Sequence, residues 1–155
     1  MSNSNPFANA KPSAGETAFD KICSAFVILI RLADKILSSN EPKGYVSVSE
    51  TKLPSGACMA LNIKILTDQP PRSFTFGRTV FGRIVWCRGK DITRMDSHPF
   101  WETMLAISTV ILHLNYELGA SDEQIIKSQS FIDDAQAHLD SKNESAEPAS
   151  TPEIA

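Results

Sequence analysis

Residues 71–90 read P-R-S-F-T-F-G-R-T-V-F-G-R-I-V-W-C-R-G-K, and the way this stretch divides into strands decides the fold. It carries Arg72, Arg78, Arg83, Arg88 and Lys90 with no Asp or Glu, and Phe74, Phe76, Phe81 and Trp86 stand between those cations. Phe-Gly-Arg occurs twice, at 76–78 and 81–83. Two geometries fit. Gly77-Arg78 can make a two-residue hairpin turn, because glycine tolerates the positive φ that a type II′ turn requires. Phe74 would then face Phe81, and Arg72 would face Arg83 at some electrostatic cost. Alternatively, residues 72–88 form one bent strand with glycine bulges at 77 and 82. The hairpin is the favoured reading, and in both geometries Phe74 and Phe76 share a face.

Working outward, residues 57–67 have the clearest period of two in the chain. Met59, Leu61, Ile63 and Ile65 face one way and Cys58, Ala60, Asn62 and Lys64 the other, the pattern of an antiparallel strand with one solvated face. Residues 45–52 alternate more weakly through Val46 and Val48, with Leu53-Pro54-Ser55-Gly56 as the turn between the two strands. Asp68-Gln69-Pro70-Pro71 ends the second strand, since proline cannot donate to a ladder.

Helices flank this meander. Ser13 and Glu16 form an S-x-x-E capping box that predicts a first helix running to about Ser39. Phe19, Ile22, Cys23, Phe26, Ile30, Ala33 and Leu37 follow the spacing of one buried stripe, while Val27 and Ile28 lie nearer the polar face. A helix apolar almost all round needs a second covering surface. Ser97-His98-Pro99 opens a second, core helix with a seam of Phe100, Met104, Ile107, Ile111, Leu114 and Leu118, ended by Gly119. Ser121 and Gln124 start a weakly amphipathic third helix running to about Ser141. The expected fold is α+β: an N-terminal helix, an antiparallel meander of three to four strands, and a C-terminal helical hairpin packed on one sheet face. Residues 1–12 are read as a disordered arm, 13–141 as a single domain and 142–155 as a disordered acidic tail.

At 155 residues and 17.0 kDa, with 42% hydrophobic and 21% charged residues, the chain has an ordinary globular composition. The net charge of −3 is unevenly spread. Five of the six arginines fall between Arg72 and Arg94, whereas residues 117–155 hold nine acids against Lys127 and Lys142. Cys23, Cys58 and Cys87 match neither a disulfide framework nor paired zinc-ligand spacing, so reduced thiols and no metal are expected. The polar N-terminus gives no secretory signal, and a cytoplasmic chain without a membrane partner is expected.

No catalytic motif is identifiable: P-loop, H-E-x-x-H and G-x-S-x-G are all missing from the sequence. The polar cluster Arg88, Lys90, Asp91, Arg94, Asp96 and His98 reads as a connector rather than an acid–base site. A non-enzymatic binding protein without a cofactor is therefore expected. Its candidate site is the basic, aromatic surface of Arg72, Phe74, Arg78, Phe81, Arg83, Trp86, Arg88 and Lys90. Single-stranded nucleic acid is the first candidate partner, through arginines on phosphates and aromatics stacked on bases. The alternatives are a protein-interaction module meeting an acidic protein, or a binder of a small anionic nucleotide. The apolar breadth of the first two helices predicts a homo-oligomer.

Overall fold

The computed structural model describes residues 17–53 and 59–150. Within them α1 (Ala18–Leu37), β1 (Val46–Lys52), β2 (Met59–Ile65), β3 (Arg72–Arg78), β4 (Ile84–Arg88), α2 (Phe100–Leu118) and α3 (Asp122–Ser150) follow in order. The strands form one antiparallel sheet in the order β1-β2-β3-β4, so the α+β meander is present with four strands. None of the helices is long and apolar enough to cross a membrane, as far as the described residues go. The expected 1–12 arm, the Ser13–Glu16 box, the Pro54-Ser55-Gly56 turn and Cys58 lie outside the described residues, as do residues 151–155.

Period-two alternation fixes the inner face of the sheet. Ile63 lies opposite Val48 on one side and Phe74 on the other, and Phe76 lies between Leu61 and Trp86. These side chains, with Val46, Ile65 and Ile84, meet Phe26, Ile107, Val110 and Leu114 of the helices in one core. Burying a side chain of this size contributes ~1.5–3 kcal/mol. Phe26 and Phe76 approach to 6.1 Å between ring centroids, tying α1 to the centre of the sheet.

The hairpin forms, but not at Gly77-Arg78. Arg78 still pairs with Ile84, Thr79 N–H donates to the Arg83 carbonyl at 2.9 Å, and Gly82 N–H donates to the Thr79 carbonyl at 2.9 Å. The turn therefore uses the second Phe-Gly-Arg, whose Gly82 has φ 84°. A left-handed residue ending a three-residue loop turns the chain while matching the twist of the flanking strands. Phe76 opposes Trp86, so neither the Phe74–Phe81 nor the Arg72–Arg83 pairing occurs. Gly77 is an ordinary strand residue: a Cβ there would lie 3.0 Å from both Leu53 Cδ2 and Met95 Cε, which close over the outer face.

The buried face of α1 also differs from expectation. Ala25, Phe26, Leu29 and Ala33 are buried, while Phe19, Val27 and Leu37 are exposed. A stripe read from a helix apolar on most sides has no well-defined centre, and packing against the sheet and α2 selects it. The described helix opens on Thr17, whose hydroxyl accepts from Asp20 N–H while the Asp20 carboxylate accepts from Thr17 N–H.

α2 is the central helix, packed against the sheet, α1 and α3. Near its end the buried Glu117 carboxylate accepts from the backbone N–H groups of Lys43, Tyr45 and Val46, fixing the entry to β1. Ser121 Oγ accepts from Gln124 N–H at the start of α3. Helical backbone continues to Ser150, so Ser141 falls inside α3.

Candidate functional site

Residues 72–90 are divided between the two ends of the β3–β4 hairpin. Seven residues of strand span ~20 Å at about 3.4 Å each, so Arg72 and Arg78 stand at opposite ends. Even-numbered residues of β3 and β4 share one face. Arg72, Arg78 and Arg88 therefore lie on the same side of the sheet as Phe74, Phe76 and Trp86, beyond the edges of the core. Phe74 and Trp86 are each only 3% exposed. Trp86 is fixed by Nε1–H donating to Thr103 Oγ1 at 2.9 Å and by its ring lying 4.2 Å from that of His98. Neither aromatic presents a free face to a partner.

The turn end is different. Phe81 is 90% exposed and Val80 63% exposed. They project beside Arg78 and Arg83, neither of which makes an ion pair among the described residues. Arg78 Nε–H reaches back to the Gly82 carbonyl at 3.4 Å, which holds its guanidinium over the turn. Next to the tip lies an apolar depression lined by Leu53, Val80, Phe81 and Val85, with Thr79, Arg83 and Ser97 at its margin. Sequence reading singled out Phe81, Arg78 and Arg83 but missed Val80 and Leu53. Val80 carried the signal of an apolar residue within a turn, whereas the approach of Leu53 depends on the fold.

At the other end, Arg72 is engaged twice. Its Nε–H contacts the Asp68 carboxylate, and its guanidinium carbon lies 5.8 Å from the centroid of Phe74. Arg88 lies diagonally across from Arg72, and both line a cleft of about 360 Å³ with Glu102, Thr109, His113 and Gln136 of α2 and α3. His113 Nδ1–H donates to the Thr109 carbonyl at 2.8 Å. Lys90 stands beside Lys64, and its ammonium holds the Lys64 amine below the usual lysine range. This meeting was illegible in sequence because it depends on the register of three strands.

The connector after β4 is held to the sheet. Trp86 and Asp96 exchange backbone hydrogen bonds, and His98 Nε2–H donates to the Trp86 carbonyl at 2.8 Å. The Asp91 carboxylate accepts from Thr93 Oγ1–H and Thr93 N–H, and these bonds, helped by Arg94, hold its pKa below the ordinary range. Each polar group in this loop that sequence reading considered for acid–base work is thus either tied locally or exposed. Among the described residues, no three His, Cys, Asp or Glu side chains are grouped to hold a metal ion. No family model matches the chain, and no curated protein or solved structure matches it.

Proposed function

We propose that the chain is a binding protein whose β3–β4 hairpin tip engages a protein segment carrying an apolar anchor with acidic flanks. One observation carries this reading: Phe81 is 90% exposed between two arginines that make no ion pair among the described residues. Aromatic residues and arginine are enriched at interface centres, where lysine and the acids are depleted. The depression formed by Leu53, Val80 and Val85 beside Phe81 gives the anchor an apolar surface, Arg83 at its margin matches a carboxylate, and Arg78 stands at the same turn on the other face of the sheet. The backbone bonds from Thr79 N–H to Arg83 and from Gly82 N–H to Thr79 tie the tip, which lowers the conformational entropy lost on binding.

A second reading, single-stranded nucleic acid, is supported by the convergence of Lys64 and Lys90 at the far end of the same hairpin. It is the weaker of the two, because with Phe74, Phe76 and Trp86 in the core, Phe81 alone of the four aromatics in residues 71–90 is exposed to stack on a base. Fluorescence anisotropy separates the readings. A labelled Glu-rich peptide with a central Leu-Phe pair should bind, with affinity falling at least tenfold in both Phe81→Ala and Arg83→Glu. Oligo-dT and oligo-U should bind more weakly than the peptide. Oligonucleotide binding tighter than the peptide's, with a log–log salt slope of about −2 to −3.5 for roughly three to five phosphates, would select the second reading. If neither probe binds more tightly than about 100 μM at low salt, where charge attraction is least screened, both readings fail.

A further inference from the structure

α1 and α3 flank α2 and leave an open cleft of about 340 Å³ above it, remote from the hairpin. That volume lies at the small end of the ligand-pocket range of about 300–1,000 Å³. Ile28 and Leu32 of α1, Met104 and Ile111 of α2 and Phe131 of α3 supply apolar walls. Three buried polar side chains, Ser108, Asn115 and Ser128, also line it. Ser108 is 6% exposed, and its hydroxyl has no hydrogen-bond partner among the described residues. Asn115 is 9% exposed and its side-chain amide uses one N–H, which donates to Ser128 Oγ at 2.8 Å; the other amide N–H and Oδ1 have no partner among the described residues. Ser128 Oγ is itself engaged, donating to the Gln124 carbonyl at 2.9 Å.

Most buried polar groups in folded proteins are hydrogen-bonded, so two under-used ones in one apolar cleft point to a ligand. The Asn115–Ser128 bond also places the polar end of the cleft. Gln124 and Lys127 belong to the same turns of α3 as Ser128, and Lys127 makes no ion pair among the described residues. The Lys127 ammonium and the free amide N–H of Asn115 are the donors available at that end, and together they suit a carboxylate head. From Asn115 towards Met104 the lining becomes apolar over ~16 Å of α2 at about 1.5 Å per residue, which accommodates a tail of roughly ten carbons. Ser108 lies partway along it, where its hydroxyl can meet a polar substituent of the natural ligand.

We infer that the α1–α2–α3 cleft binds a medium-chain amphipathic carboxylate, with its head between Asn115 and Lys127 and its tail against Ile28, Ile111 and Met104. The probe is decanoate, titrated into the full chain and followed through the methyl resonances of Ile28, Met104 and Ile111. Saturable shifts confined to these methyls are expected, with binding weakened about tenfold by Lys127→Met and by replacing decanoate with decanol. Lys127 is exposed, so its variant should fold. Ile28→Trp, which narrows the cleft from its rim, should abolish the shifts while leaving peptide binding at the hairpin unchanged. The proposal is overturned by an absence of shifts up to about 1 mM decanoate, a concentration matched to very weak binding. It is equally overturned by shifts centred elsewhere, or by affinity insensitive to both the Lys127 variant and the uncharged probe. The first of these results would leave Ser108 and Asn115 solvated by water alone.

Discussion

Within a few residues of each other, the same side-chain type takes opposite roles. Phe76 is fully buried with its ring 6.2 Å from that of Trp86, while Phe81 stands in solvent. Phe76→Ala should cost ~3–5 kcal/mol because it leaves a cavity among packed rings. Phe81→Ala should stay within about 0.5 kcal/mol, as surface substitutions usually do. Urea unfolding of the two variants measures the difference, and a large loss for Phe81→Ala would mean that the tip is part of the core. Cys87 carries a pH prediction. Burial pushes its thiol up, the nearby Asp91 charge adds to this, and the Thr75 hydroxyl partly offsets it. The folded chain therefore holds this proton more tightly than the unfolded one. The resulting stability is full below the ordinary thiol pKa of about 8.5 and is lost as pH rises through that range and above it. The urea midpoint of the wild type should fall between pH 7.5 and 9.5 more than that of Cys87→Ala; equal falls would remove Cys87 from the account.

At the scale of elements, the β3–β4 hairpin shows how two local signals compete. Both Phe-Gly-Arg tripeptides offered a turn glycine, and only the second is used, with Gly82 at φ 84°. Gly82→Ala places a side chain in open space, its nearest neighbour being the flexible Arg78 side chain at 3.8 Å. Its cost should therefore be backbone strain alone, ~1–2 kcal/mol, and hairpin binding should weaken with it because Phe81 is displaced. A neutral result in thermal melts would show that the turn can change type. The meander and the core helix were legible in the sequence, because period-two alternation and the spacing of α2 are local signals, whereas the exposure of Phe81 was not, since it depends on which glycine makes the turn. The buried face of α1 was not, since Phe19 and Leu29 have equal claim on it until the sheet and α2 are in place. The burial of Phe74 and Trp86 was undecided for the same reason: alternation groups residues on a face without saying which layer covers it. Ser108 and Asn115 carried no local signal, and only the splay of three helices brings them to one cleft.

For the whole molecule, the open question of cover concentrates on the exposed apolar residues of α1. Phe19, Val27 and Leu37 are 46%, 42% and 39% exposed, and Cys23 and Ile30, which pack in part against the core, lie between them in helical register. The residues recur at helical spacing, so the apolar strip runs much of the length of α1, ~30 Å for 20 residues. Scattered apolar residues on a surface need no explanation, but a row of them along one helix, interrupted here only by the exposed Asp34, marks an interaction surface. Two copies of one helix face can pair about a two-fold axis, each residue meeting its counterpart's neighbours, which is the commonest symmetry of soluble oligomers. Light scattering at micromolar concentration should accordingly give a multiple of 17.0 kDa. Val27→Glu places a charge at the middle of the strip, where the helix is still exposed enough to tolerate it in the monomer. That variant should return the mass to 17.0 kDa with its helical circular dichroism intact. A wild type that stays at the single-chain mass over all accessible concentrations would make the strip a plain feature of the monomer surface. Retention of the larger mass by Val27→Glu would move the interface away from α1, leaving the apolar surface of the hairpin tip as the next to test.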